Sequence, residues 1–340
     1  MGEEQFRKKV TWSTFFFGIL VVWVHSYNGE LFLGKTAQGL AVDGFERFIG
    51  ETLGQIAVPG FFLTSAYLFY RNFDWSRLLP KWRSRAGSIL IPYLVWTLLY
   101  YLGYVAASRL PFISRVVGKG VIPFTLPELW EAVLHYKYLY TFWYLQQLIC
   151  LTLLAPVLYA LLRHFWSGLL FLAAVSWAVW VRADFPIFNE DALLYYGSGG
   201  FLALHGHCLE KVWTGRRCAL GVGLGAAAFA GLCVTRRYFL PGLAVACRLF
   251  APLGLWLAMD EKRLGKVRPW MGGSLFLYAV HFALVRTVNK TAALFAPPLP
   301  LIPVALYLLM PALMVAAGFG LSLALKRYAP GVWRVLSGGR

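Results

Sequence analysis

Apolar stretches of about 18 to 22 residues recur along the whole chain, and a helix of that length crosses the hydrocarbon core of a bilayer. Composition agrees. Of the 340 residues, 59% are hydrophobic and only 14% charged, with a mean hydropathy of +0.61. A soluble domain carries about 25% charged residues. The chain is therefore expected to be all-α and polytopic, a single integral-membrane domain over 1–340 with about ten transmembrane helices. The expected spans are 11–27, 54–70, 87–106, 139–162, 165–181, 192–209, 218–234, 240–258, 270–288 and 300–325. The first follows Arg7, Lys8 and Lys9 like a signal peptide, but no small-residue cleavage site comes after it, so it reads as a retained helix.

The net charge of +17 would suggest nucleic acid in a soluble protein. Here the basic residues fall in alternate connections, as the positive-inside rule requires, and no nucleic-acid partner is implied. With a cytoplasmic N-terminus the inner segments hold Arg7, Lys8 and Lys9, then Arg71, Arg77, Lys81, Arg83 and Arg85, then Arg163. They go on to Lys211, Arg216, Arg217, Lys262, Arg263, Lys266, Arg268, Lys326, Arg327, Arg334 and Arg340. Both termini are expected in the cytoplasm, and the basic faces against membrane lipids. The cysteines at 150, 208, 218, 233 and 247 form no CxxC pair and read as small core residues. On the outer side, residues 28–53 carry Glu30, Asp43, Glu46 and Glu51, and 107–138 form the longest connection. In it, Thr125 to Glu128 has capping-box spacing with Pro127 near the start, which predicts a short surface helix. That connection suits recognition of something large outside the membrane, or a plain connector. No internal repeat is visible, which weighs against a transporter of inverted halves.

Ionisable residues inside spans cost free energy and are candidates for function. His25, in FGILVVWVHSYN, lies roughly 21 Å along its helix, in the outer half of the membrane. Imidazole is suited to accept a proton near neutral pH. The alternative is a histidine bonded to a neighbouring helix. Ser274, Tyr278 and His281 are spaced four and three apart, so they share one face that must meet protein or water. Helix-packing glue and catalysis both fit that stripe. Arg248 falls mid-span and Arg286 one turn beyond His281, positions that line a cavity or pair with an anion. In the inner loop, Arg71, Arg77, Lys81, Arg83 and Arg85 either anchor the membrane face or meet the phosphates of a docked cofactor, whose oxygens arginine forks match. YYGSGGFLALHGH lacks the context of a phosphate loop and reads as close helix packing. His205 and His207 have no third ligand, so no metal is expected, and Asn289-Lys-Thr291 is a glycosylation sequon of a kind that arises by chance.

In this order, FGILVVWVHSYN, PGFFLTSAYLF (59–69), RSRAGSILIPYLVW (83–96), TFWYLQQLICLTLLAPVL (141–158) and GGSLFLYAVH (272–281) resemble the integral-membrane acyltransferase-3 family, which includes O-antigen acetylases. The resemblance covers nearly the whole chain. It implies an acyl group, most simply acetyl, taken from cytoplasmic acyl-CoA and passed to a hydroxyl of an extracytoplasmic glycan or lipid-linked sugar. It implies a bacterial cytoplasmic membrane. His25 matches the family's base, and Lys81, Arg83 and Arg85 match a basic loop associated with the CoA phosphates. Tyr278 or His281 would hold the acceptor or stabilise the oxyanion.

One position departs from the family pattern. A basic residue is usual eleven positions before the histidine, roughly 16 Å below it on the same face, and here that position is Thr14. A basic group there would hold an anionic part of the acyl-CoA donor; Lys8, Lys9 or Arg248 as its replacement in binding the donor, a different donor mode, and loss of catalysis all stay open. Two rival functions therefore stand beside the transferase: a transporter or flippase whose buried His and Arg form a path, and a non-catalytic member that binds without turnover.

Overall fold

The structure, a computed structural model, describes residues 1–111, 113–114 and 120–339, without the side chains of His207 and Cys208. Arg340 and those two side chains therefore lie outside the described residues. Helices supply the regular structure, and no strand occurs among the described residues. In chain order they are α1 (Glu3–Val24), α2 (Gly29–Leu33), α3 (Ala37–Thr52), α4 (Ala57–Tyr70), α5 (Leu78–Arg85) and α6 (Ile91–Ala107). There follow α7 (Leu126–Leu134), α8 (Trp143–Leu153), α9 (Ala155–Leu162), α10 (Phe165–Val181), α11 (Glu190–His205) and α12 (Gly215–Arg237). The last are α13 (Pro241–Ala258), α14 (Ser274–Phe295), α15 (Leu301–Tyr328) and α16 (Pro330–Leu336).

Each of the ten expected positions carries helix. Among the described residues, six segments are long and apolar enough to cross a membrane: Glu3–Leu33, Ala37–Tyr70, Trp75–Ala107, Gly215–Arg237, Pro241–Ala258 and Leu301–Tyr328. A seventh arises if Tyr140–Leu153 and Ala155–Leu162, bent by 66°, form one span. The chain is a multi-pass membrane protein. The other expected spans fall short for physical reasons. α10 is 17 residues long and α11 is 16, while α14 has Arg286 and Lys290 beside its polar stripe. Residues 28–53, read from sequence as an outer loop, are mostly helical. The Thr36 hydroxyl caps α3 by accepting from the Gly39 N–H at 3.1 Å, and Val42, Glu46 and Gly50 form its buried face.

The helices gather into two compact units, Met1–Trp75 with Leu154–Leu321 and Ser76–Leu153 with Ser322–Arg340. In the first, α1 is central. Phe17, Leu20 and Val21 pack with Ala57, and Val22 with Val285, Met310 and Met314. At the start of α1, Lys9 is buried with its ammonium 3.7 Å from Glu261 and 4.9 Å from the Trp256 ring. Small residues let backbones meet, as is usual where lipid gives no hydrophobic drive between helices. A Cβ on Gly199 of α11 would lie 2.4 Å from the Leu63 carbonyl oxygen of α4, and one on Gly221 would lie 2.6 Å from the Gly254 carbonyl oxygen. The glycine run is thus a packing seam, as its sequence context implied. Gly199→Val is expected to cost about 1–3 kcal/mol or more by overpacking. Thermal unfolding in detergent should show a midpoint several degrees lower, and an unchanged midpoint would contradict the seam.

In the second unit, α5 passes through one wide π-turn, Ala86–Leu90, into α6. The Trp82 indole donates to the Thr152 carbonyl at 2.8 Å and the Trp96 indole to Leu336 at 3.0 Å. The predicted surface helix is α7, with the Thr125 hydroxyl accepting from the Glu128 N–H at 3.4 Å. Glu128 lies outside every candidate span; Lys137, 2.6 Å away, and then the Tyr138 hydroxyl hold its carboxyl below the usual 4.5. A lowered folded value means that the contribution is present above the unfolded value and is lost as pH falls through the folded one. Hydrogen-exchange protection across residues 125–138, measured against the intrinsic rate at each pH, should therefore fall below about pH 4.5 in the wild type. Glu128→Gln should exchange faster already at neutral pH and lose that acid step. The effect is small, since the pair lies at the surface with Lys137 half exposed.

Candidate active site

α1 ends at His25, whose N–H donates to the Val22 carbonyl at 3.1 Å. The turn beyond it is fastened from several sides. The Ser26 hydroxyl donates to the Val22 carbonyl at 2.5 Å, and the Asn289 amide of α14 donates to the Ser26 carbonyl at 3.2 Å. The Asn28 amide donates to the Asn289 Oδ1 at 3.2 Å. Glu46 of α3 then accepts from the backbone N–H groups of Asn28 and Gly29, at 2.9 and 3.1 Å. Gly50 completes the fit: a Cβ there would meet the Tyr27 hydroxyl at 2.0 Å. Five hydrogen bonds thus hold the backbone of this turn, although Asn28 Oδ1 and Glu46 Oε1 are buried with no partner among the described residues.

The two histidines meet. The His25 and His281 ring centroids are 5.3 Å apart and the rings tilted by 42°, with Phe282 against the other side of His25 at 5.7 Å. His281 Nδ1 lies 2.7 Å from the Tyr278 carbonyl oxygen, a group that can only accept. Nδ1 therefore carries the hydrogen, and Nε2 keeps its lone pair. That Nε2 is buried with no hydrogen-bond partner among the described residues. The stripe expected from sequence lines one narrow pocket, bounded by Ser274, Tyr278 and His281 on α14 and by Thr14 and Gly18 on α1. Trp270 and Met271 close its other end. Thr14 thus faces the site, but its hydroxyl bonds back to the Val10 carbonyl at 2.9 Å and the Thr11 carbonyl at 3.1 Å.

The basic candidates separate. Arg83 and Arg85 line a cavity of about 690 Å³ with Trp82, Ile89, Ile149 and Leu153, beside the π-turn. Such turns often mark functional sites. Lys81 shares α5 without lining that cavity. Arg71 is committed elsewhere, 2.8 Å from Glu3 and 2.9 Å from Glu210. Lys9 is held by Glu261, outside the cavity at Thr14. Arg248 lines a third, open cleft with Asp191. Arg286 lies on the exposed face of α14 with its guanidinium 5.4 Å over the Phe282 ring.

His205 serves packing: its Nε2 is 2.6 Å from the Leu162 carbonyl and its ring 4.6 Å from Phe201. No cluster of metal-ligating side chains occurs among the described residues. Asn289 is 4% exposed inside α14, so the sequon is not a glycan acceptor. Sequence reasoning missed Asn289, Asn28 and Glu46 as the groups that set the His25 turn. The available signal was Asn289 itself, eight residues or two turns beyond His281 on the same buried face.

His25 of α1 and His281 of α14 thus face each other within the first unit. The family model described as an acyltransferase domain (Acyl_transf_3) matches residues 15–326, so the chain belongs to that family. It is 26% identical over 350 residues to the succinoglycan biosynthesis protein ExoH of Rhizobium meliloti (strain 1021), covering 94% of this chain and 89% of that protein. No solved structure matches it.

Proposed function

We propose that the protein transfers an acyl group, most simply acetyl, from cytoplasmic acyl-CoA to a hydroxyl of an extracytoplasmic glycan or lipid-linked sugar, in a bacterial cytoplasmic membrane with both termini inside. The observation that carries this reading is the His25–His281 pair, with His281 at the head of a cavity that begins near Thr14 and Trp270. A relative named for succinoglycan biosynthesis favours a glycan acceptor. The Arg83 and Arg85 cavity, with Lys81 on the same helix, suits the phosphates of the CoA end.

In this reading His25 takes the proton of the acceptor hydroxyl as its oxygen attacks the thioester carbonyl. The carbon–sulfur bond then breaks, the thiolate leaves, and the imidazolium returns the proton to give ester and free CoA thiol. His281 offers its Nε2 lone pair to the neighbouring imidazolium, and Tyr278, on the cavity wall, steadies the oxyanion or the acceptor. With Thr14 neutral and turned back on its own helix, the donor's anionic groups rely on the α5 residues.

The test uses purified protein in detergent with acetyl-CoA labelled in the acetyl group and an extract of surface glycan. Glycan-dependent release of CoA thiol, with label found in the glycan, is the expected result. Glycan movement across proteoliposomes without thiol release would replace the transferase by a transporter.

A further inference from the structure

The open cleft that holds Arg248 is the largest polar concavity among those described, with about 1400 Å³ of space. It is set by Glu190 and Asp191 at the start of α11, Arg182 after α10, Arg236 near the end of α12, and Glu51 in the last turn of α3. The cleft stands at the level of His25. Gly54 follows Glu51 by three positions, and a Cβ on it would lie 2.4 Å from Val24 Cγ2 in the last turn of α1. Three carboxylates face three guanidiniums, so the cleft is formally neutral, unlike a phosphate site. Glu51 and Arg236 satisfy each other at 3.7 Å. Arg182 lies 4.2 Å over the exposed ring of Phe239, which also lines the cleft. Behind the wall, Arg248 Nε and the hydroxyl of Tyr195, one turn beyond Asp191 on α11, are buried with no partner among the described residues.

We infer that this cleft binds a neutral, hydroxyl-rich sugar unit of the acyl acceptor. Carboxylates accept from sugar hydroxyls and guanidinium forks donate to ring and hydroxyl oxygens, so a wall of balanced charges matches a polyol. An aromatic face at the rim suits the apolar face of a pyranose ring. The inference rests on the transferase reading and its orientation, and it moves Arg248 from the donor to the acceptor.

The experiment keeps the two apart. Neutral oligosaccharides from the de-acylated surface glycan are titrated against full-length protein in nanodiscs by saturation-transfer NMR, with no acyl donor present. Asp191→Asn and Arg248→Gln are expected to weaken binding about tenfold or more, the loss that follows when hydrogen bonds to charged groups are removed. Arg182→Gln, at an exposed side chain, provides a variant that folds if the others do not. Acetyl-CoA binding by each variant serves as the folding control. Oligosaccharide binding within twofold of wild type in all three variants would overturn the acceptor cleft, whether or not wild type transfers acyl groups. So would displacement of the oligosaccharide by inorganic phosphate but not by glucose. Lost acetyl-CoA binding in Arg248→Gln alone, with oligosaccharide binding kept, would return Arg248 to the donor. Failure of wild-type thiol release with sugar binding intact would instead sink the transferase and leave the cleft standing.

Discussion

His25→Ala is expected to lower glycan-dependent release of CoA thiol by about 10²–10⁴-fold, the range that a positioned general base contributes. The turn after His25 is tied by Ser26, Asn28, Asn289 and Glu46, so the imidazole is held where a proton must be removed. Removing the ring leaves that turn intact, because those bonds involve its neighbours. Acetyl-CoA binding and the thermal midpoint should therefore change little while turnover collapses. Activity within tenfold of wild type would end the proposed mechanism. A variant that also lost donor binding would point to His25 holding the thioester rather than taking the proton.

The second large effect is expected at His281. Replacement by Phe keeps a ring in the buried position and removes the Nε2 lone pair beside His25. A hydrogen bond to a charged group is worth about 1.5–3 kcal/mol, so kcat should fall about 10- to 100-fold. KM for acetyl-CoA should hold, because the stabilised species, imidazolium, forms only during reaction. An unchanged kcat with raised KM would make His281 part of the donor site instead. Loss of both together with a lowered thermal midpoint would reduce it to a packing residue.

Much of the fold was legible because lipid allows so few choices: long apolar runs could only be helices, and every run expected from 11–27 to 300–325 carries one. The glycine seam at 197–200 and the cap at Thr125 were also readable, since both depend on local chemistry. Where reading failed, the reason was a contact remote in sequence or a helix paid for by burial. α3 carries acidic residues and looked like a loop, yet Glu46 is buried because it accepts two backbone bonds from the His25 turn. His25 and His281 were both singled out, but nothing in the spacing of either helix could state that they touch. Lys9 was offered as a stand-in for the missing basic residue, and only Glu261, far along the chain, explains where its charge is spent.

The tie between Asn289 and the Ser26–Asn28 turn has a consequence for the birth of the protein. Its two hydrogen bonds join residues 261 and 263 positions apart. A ribosome delivers α1 to the membrane long before α14 exists, and domains form as their partners emerge. Through most of synthesis the first helix must wait with its His25 end unfastened. The His25 turn is thus completed only in the last stages of translation, and a chain cut short before residue 289 lacks the tie that fixes it.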